Sequence, residues 1–587
     1  MRSKIFSKKE HQRFRQLFQQ PWVQIFILLV FCSLLFIFGA GRWDLWSPDE
    51  PRYAQVAKEM VNGGDWLLMH YNGKTYEAKP PLFFWLIGLS SYLWGGFTSF
   101  SARFPAALFG TITVLLTFFF GRSLHSSRTG FLSGLVLATN FEFAYLSTRA
   151  NIDTTLTLFT TTSILCFFRW YQLNKDGRIS RESMKGLWFY GFYIGMALGT
   201  LTKGPVGFAL PLLVSLIYLI LQKDWKGIKG MRLLPGMLLF LGIVLSWYLP
   251  AVFKGGETYL NETLFHQTFN RFFKGTSHFA PFYFYFLNFP IDFSPWFLFL
   301  PGALVYSFSR KEERVQKGLL FLFIWFISIF LFFSISKGKR SIYLLPLYPA
   351  ASLLVGRLWG EYLSGPIRDS FREIWTSIPI YLLIISFFFA GMVLYWIPVV
   401  ANSSVEPSTP KILGEIIKGA KIGAEYLSYV PRESVFPFIF LFFGSGIILS
   451  LSHGLKYKSG VFIFLVATVA IGFFYWTRFI FPLVNPYKSD RFISQEIRQI
   501  MKPGEKLAVG GLVTGPYNFY TGIVPIIELE NIQEIIDFLH TKERVFCLLK
   551  FRDYEKLSRM NLGIPFYMIT RRKVGGSDIA LVSNHSS

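Results

Sequence analysis

Pro81-Leu82-Phe83-Phe84-Trp85-Leu86-Ile87-Gly88-Leu89-Ser90-Ser91-Tyr92-Leu93-Trp94-Gly95-Gly96-Phe97 is the stretch on which the topology of this chain turns. It is apolar enough to resemble a membrane span. However, it begins with two consecutive prolines, Pro80 and Pro81, and is broken by Gly88, Gly95 and Gly96. Crossing about 30 Å of hydrocarbon takes roughly 17 to 25 apolar residues. The chain holds about fourteen apolar runs before it turns polar near Arg478; with this one read as a helix lying along the membrane or re-entering it, about thirteen spans remain.

Charge supports that reading. With about thirteen spans and the N-terminus inside, the inner loops carry Arg122 and Arg128; Lys175, Arg178, Arg181 and Lys185; Lys223, Lys226, Lys229 and Arg232; Arg310, Lys311, Arg314 and Lys317; Arg368 and Arg372; and Lys456 and Lys458. Each is basic, as the positive-inside rule requires. Counting Pro81 to Phe97 as a full span would move every loop from Arg122 onward to the other side and break the rule.

Of the 587 residues, 52% are hydrophobic, 19% aromatic and only 16% charged, against about 25% charged in soluble domains. The 59 Lys and Arg against 35 Asp and Glu give a net charge of +24. Because this excess sits in short loops between apolar runs, it reads as a topology signal and no nucleic-acid partner is expected. Cys32, Cys166 and Cys547 lie far apart and form neither a zinc spacing nor a disulfide framework. The fold class expected is an α-helical polytopic membrane protein with a small C-terminal α/β domain outside the membrane. Its parts are a basic cytoplasmic N-terminus (1–21), a membrane domain (22–484) whose first outer loop covers 41–103, and the tail (485–587). In the tail, β-rich runs at Lys506 to Leu512, Arg544 to Leu549 and Pro565 to Thr570 alternate with helical patterns at Asp490 to Met501 and Ile532 to His540.

The unusual polar residues fall on the outer face. Ser47-Pro48-Asp49-Glu50 reads as a capping box with Ser47 as N-cap and Glu50 three residues on, which leaves Asp49 beside Arg52 free to accept or orient a proton. Lys79, Arg149, Lys203, Arg271, Lys337, Lys339 and Arg340 are positive charges on the side the rule depletes. Each can be an interfacial anchor; together they suit a lipid phosphate. Asp153 either pairs with Arg149 or serves as a boundary carboxylate with a function. His70, Glu77, His266 and His278 leave a divalent metal as an alternative to the expected absence of any cofactor. There is no Gly-rich phosphate loop, His-Glu-x-x-His or Gly-x-Ser-x-Gly motif, so nothing points to a nucleotide-driven machine.

Read in order, the chain resembles the membrane glycosyltransferases of the GT-C type that use polyprenyl-phosphate sugars, the superfamily of protein O-mannosyltransferases and the bacterial lipid A aminoarabinose transferases. The motifs are Pro48-Asp49-Glu50-x-Arg52-Tyr53-Ala54, Gly64-Asp65-Trp66, Lys79-Pro80-Pro81, Arg149-x-x-x-Asp153, Thr202-Lys203-Gly204, Asn270-Arg271-Phe272, His278-x-Ala280-Pro281-Phe282, Pro295-Trp296, Pro301-Gly302-Ala303-Leu304 and Phe333-Ser334-x-Ser336-Lys337-Gly338-Lys339. The resemblance implies an inverting glycosyltransferase that moves a sugar from an undecaprenyl-phosphate-like donor to an envelope acceptor: lipid A, another glycan or a protein. It implies Asp49 as the catalytic carboxylate, Lys79 on the donor phosphate, Asp153 as a second carboxylate, Lys203, Arg271 and Lys337 as basic lining, and Tyr343 against the lipid phosphate. With the flanking residues, the candidate site is Asp49, Asp153 and Glu50 as catalytic groups and Lys79, Arg52, Arg149, Lys203, Arg271, Lys337 and Tyr343 around the phosphate. Ala78 stands where the aminoarabinose transferases have Glu, and Thr268 where they have His; both departures concern a metal site of that subfamily. The expected location is the inner (plasma) membrane, with the site and tail outside the cytoplasm. The rival of another class is a lipid or glycan transporter, which would need polar residues at the midplane and access from both sides.

Overall fold

The structure, a computed structural model, describes residues 19–175, 182–263, 278–308, 313–364, 370–401, 430–560 and 565–586. Seven helices among the described residues are long and apolar enough to cross a membrane: Ser99–Leu124, Leu233–Asn261, Lys317–Ile335, Ser341–Ser364, Glu373–Trp396, Phe436–Gly454 and Lys458–Lys488. The chain is a multi-pass membrane protein. About thirteen spans were expected. Other apolar runs form shorter helices, such as Pro21–Ile37, Val206–Leu221 and Trp296–Tyr306, or, as in Ile152–Lys175, a helix diluted by threonines.

The deciding stretch folds as helix Leu82–Leu93. Its 12 residues reach only about 18 Å at 1.5 Å per residue, well short of the hydrocarbon thickness. Its buried face, including Phe83, Phe84 and Ile87, packs on the first-loop helix Asp49–Gly63, while Leu89, Tyr92 and Leu93 are exposed. Ser99–Leu124 begins earlier than expected. Thr98 and Ser101 cap it reciprocally, which places Arg103 a turn inside the helix instead of at the end of the first loop.

Ser341–Ser364 is 78% buried and runs through the centre of the bundle, whereas Leu233–Asn261 is 22% buried and turns its apolar face outward. Small residues allow close helix crossings. A Cβ on Gly130 would sit 2.3 Å from the carbonyl oxygen of Phe118, so Ser127–Ala138 meets Ser99–Leu124 at backbone contact only because that position is glycine. Helix Leu233–Asn261 continues past Phe253, where a loop was expected, and bends at Gly256, which takes a positive φ of 73°.

The tail is an α/β unit. A short hairpin in the first loop supplies β1 (His70–Tyr71) and β2 (Lys74–Thr75). The tail's five strands are β3 (Lys506–Gly510), β4 (Ile527–Leu529), β5 (Val545–Lys550), β6 (Tyr567–Val574) and β7 (Ser577–Ser583), in the order β4-β3-β5-β7-β6. β3 is parallel to β4 and β5, and β7 is antiparallel to β5 and β6. Alternation along the strands sends Leu507, Val509, Phe546 and Leu548 to one face with Ile493 and Ile497, and Ala508, Cys547 and Leu549 to the other with Ile535 and Leu539. The sheet is thus covered on both faces at β3 and β5, while edge strand β4 exposes Ile527 and Glu528.

The tail is clamped onto the first loop. Asn72, 2% exposed, donates to the carbonyl of Ile526 (2.8 Å), and its oxygen accepts from the Ile526 amide (2.7 Å) and from Asn518 (2.9 Å). Asp44 accepts from Asn485, Ser489 and Arg491 at 2.8 to 3.1 Å. Tyr520 exchanges hydrogen bonds with both backbone groups of Leu45. The capping box does not form: the hydroxyl of Ser47 donates instead to Asp490 of the tail (2.7 Å), and Glu50 is drawn inward.

Candidate active site

Glu50 anchors the site without facing it. Both its oxygens are engaged: Arg103 donates from Nε (2.7 Å) and Nη2 (2.9 Å), Arg149 forms an ion pair through Nη2 (2.8 Å), and the amides of Ala150 (2.9 Å) and Trp46 (3.1 Å) complete the set. Glu50 and Arg103 are 1% and 0% exposed. Burial would raise the Glu50 pKa, but the two guanidinium charges and these hydrogen bonds overcome it and hold the carboxyl down at about 2. Expected as a catalytic group, Glu50 has no oxygen left for a substrate. It is the hub that ties helix Asp49–Gly63 to Ser99–Leu124 and to the turn at Arg149.

Asp49, one residue earlier, points the other way. Arg52 donates to one oxygen (2.5 Å) and Arg340, almost three hundred residues on, donates to the other (2.9 Å). Burial pushes the Asp49 pKa up, but Arg52, Arg340 and Arg149 outweigh it, so the group stays below the usual carboxylate range. Arg149 is tied to Glu50, donates to the Tyr145 hydroxyl (2.6 Å) and lies over the rings of Tyr145 and Trp46.

The third pair is Asp153 with Lys203, joined in an ion pair. Asp153 therefore does not salt-bridge Arg149, the pairing its spacing allowed. Lys203 also stands 4.3 Å above the ring of Tyr343, so helix Ile152–Lys175, the end of Glu182–Lys203 and the turn after Lys337 converge on one point. That turn presents Arg340 to Asp49, Ser341 to Asp292 and Tyr343 to Lys203.

Lys79 is half-buried at the entry to helix Leu82–Leu93, and Lys337 is exposed on the turn. Lys339, counted among the outer-face cations, is buried and donates to the carbonyls of Ala280 and Ser336, so its charge serves the turn. Arg271, Asn270 and His266 lie outside the described residues. Among the described residues no three His, Cys, Asp or Glu side chains gather in a way that could hold a metal ion.

An apolar groove of about 640 Å³ runs beside the turn, lined by Phe279, Pro281, Phe282, Phe286, Leu331 and Ile335, with Lys337 at its edge. A second cavity of about 460 Å³ shares Phe279, Ala280 and Lys339 with it and reaches Arg340 and Ser341. The two share these walls, and the second reaches the arginine that holds Asp49.

Comparison with known proteins bears on the fold. Residues 22–265 match the family model of dolichyl-phosphate-mannose-protein mannosyltransferase. The chain is 32% identical over 345 residues to the undecaprenyl phosphate-alpha-4-amino-4-deoxy-L-arabinose arabinosyl transferase of Enterobacter sp. (strain 638). That match spans 58% of this chain and 60% of the relative, so the chain covers about three fifths of the curated relative's length. Among solved structures, ArnT from Cupriavidus metallidurans bound to undecaprenyl phosphate superimposes with a TM-score of 0.74 at 20% identity, covering 96% of this chain and 98% of that one. The archaeal oligosaccharyltransferase AglB from Archaeoglobus fulgidus aligns with a TM-score of 0.51 at 11% identity, over 92% of this chain and 70% of that one. The fold is therefore the GT-C fold that the resemblance implies.

Proposed function

We propose that this protein is an inverting glycosyltransferase that moves a sugar from a polyprenyl-phosphate donor, of the undecaprenyl-phosphate type, to a lipid acceptor on the non-cytoplasmic face of the inner membrane. The observation that carries this reading is Asp49. It is a carboxylate held between Arg52 and Arg340; Arg340 lines the cavity beside the apolar groove, and the same turn sets Tyr343 against Lys203. The arabinosyl transferases and the lipid-bound ArnT structure support the choice of donor.

In this mechanism the polyprenyl chain lies in the groove and its phosphate rests against Lys203, Tyr343, Arg340 and Lys79, with Lys337 at the groove edge. The acceptor oxygen forms its bond to the anomeric carbon from the face opposite the phosphate. The bond between that carbon and the phosphate oxygen breaks, and polyprenyl phosphate leaves with the electron pair. Charge building on the leaving phosphate is met by cations already fixed in a site of low dielectric, where one well-placed donor contributes about 3 to 4 kcal/mol.

The low pKa of Asp49 makes it a weak acceptor for an alcohol proton, and this favours an acceptor that is already anionic. A lipid phosphate group, as in lipid A, meets that condition: Arg52 holds it, and Asp49 orients that guanidinium. Glu50 and Arg149 act as positioning residues behind them.

The test is transfer in proteoliposomes. Wild-type protein given a labelled undecaprenyl-phosphate sugar and lipid A is expected to place label in the lipid A fraction with inverted anomeric configuration. Label found only in protein would instead support the protein acceptor.

A further inference from the structure

Resting on the donor reading above, we propose that Glu142 and Asp292 form a carboxylate subsite that recognises a protonated amino group on the donor sugar. Glu142 lies in the first turn of helix Phe141–Ser147 and is 8% exposed. Asp292 closes helix Phe284–Asp292 and is hydrogen-bonded by Ser341. Among the described residues no Lys or Arg forms an ion pair with either carboxylate, although every other acidic group of the site has one.

A second observation is independent of the acids themselves. The hydroxyl of Tyr348 is fully buried and has no hydrogen-bond partner, and it feels the charge of both Glu142 and Asp292. One oxygen of Asp292 is buried and unpartnered in the same way. Buried polar atoms are rarely left like this. A small cation with several N–H donors is the group that would satisfy them.

The position fits the donor. The turn that gives Arg340 to Asp49 and Tyr343 to Lys203 gives Ser341 to Asp292 between them. The cavity that reaches Arg340 also reaches Ser341. Ser341, next to Arg340 in this turn, therefore links the proposed phosphate position to Asp292. The groups facing Glu142 are Asp292 and Asp153, which disfavour its charge, Arg340 and Arg149, which favour it, and the Tyr348 hydroxyl. Burial and the two aspartates prevail and push the Glu142 carboxyl up to about 8, so the empty subsite keeps a proton and avoids an uncompensated buried charge. An ammonium group supplies the missing charge; a hydroxyl at the same ring position does not.

The experiment uses the full chain in liposomes with two matched donors, undecaprenyl-phosphate pentosides that differ only in carrying a 4-amino or a 4-hydroxy group. Wild type is expected to prefer the amino donor at least about tenfold in kcat/KM, because a site built to pair a polar group rejects the analogue lacking it. Glu142→Gln and Asp292→Asn are expected to collapse that ratio toward one, mainly through KM for the amino donor. Both variants should retain wild-type thermal stability, since neither carboxylate leaves a cation unpaired. An unchanged ratio in both variants overturns the subsite while the transferase reading stands. Equal loss with both donors in a folded variant overturns it too, in favour of a structural role. Wild type that transfers neither sugar contradicts the transferase reading, and the subsite falls with it.

Discussion

Asp49 and Glu50 are neighbours in sequence and opposites in environment, which separates their mutational signatures. Glu50 joins two buried arginines, so Glu50→Ala leaves uncompensated charge in the interior, a change that typically costs about 3 to 5 kcal/mol; thermal unfolding in detergent should show it as a large drop in stability. Glu142 gives the opposite pH signature to Glu50. Its folded pKa is raised to about 8 by burial and by Asp292 and Asp153, against the pull of Arg340 and Arg149 and beside Tyr348, while an unfolded glutamate titrates near about 4.3. Between these values the folded state binds more protons, so this group's contribution to stability declines as pH rises from about 5 to 8. Glu142→Gln should flatten that decline in a melting-temperature series. For Glu50 the folded value is about 2, so its contribution is present at neutral pH and is lost only as pH falls below the unfolded value. Asp49 was legible in the sequence because Pro48-Asp49-Glu50-x-Arg52 is a compact unit. Its partner Arg340 was visible only as one of several outer-face cations, since no local pattern links residues so far apart. Glu142 and Asp292 lie at the ends of apolar runs and stand out only once the fold leaves them unpartnered.

At the scale of elements, the first-loop helix is held from three sides: by Arg103 from Ser99–Leu124, by Arg340 from the turn before Ser341–Ser364, and by the tail through Asn72, Ser47 and Asp44. Asn72 has a positive φ of 55°, a conformation asparagine tolerates better than alanine. Asn72→Ala removes its bonds to Ile526 and Asn518, with buried groups left unpaired at about 1 to 3 kcal/mol each. The expected result is faster proteolytic release of the tail together with slower transfer, because the loop that carries Asp49 loses one wall. The short helix Leu82–Leu93 followed from its prolines, its length and the charge bias, three signals available in one dimension. The capping box failed because Ser47 had a better partner in Asp490, more than four hundred residues away. Local propensity could not weigh that contact.

Across the whole molecule, the apolar composition and the loop charges made the polytopic class and the extra tail legible. The number of spans was harder, since threonine-rich and sixteen-residue helices blur the hydropathy signal. The charge bias predicts the tail outside and the Lys226 loop inside. With the native cysteines all buried, an impermeant thiol reagent applied to intact cells with a permeable outer envelope should modify Lys542→Cys in the tail and spare Lys226→Cys until the inner membrane is opened. The central claim is that transfer depends on the carboxylate of Asp49, and the most direct test compares wild type with Asp49→Asn in proteoliposomes supplied with labelled undecaprenyl-phosphate sugar and lipid A. The account predicts loss of at least about a hundredfold in transfer rate, with melting temperature and donor binding close to wild type. Turnover by Asp49→Asn near the wild-type rate would contradict it and remove Asp49 from the chemistry.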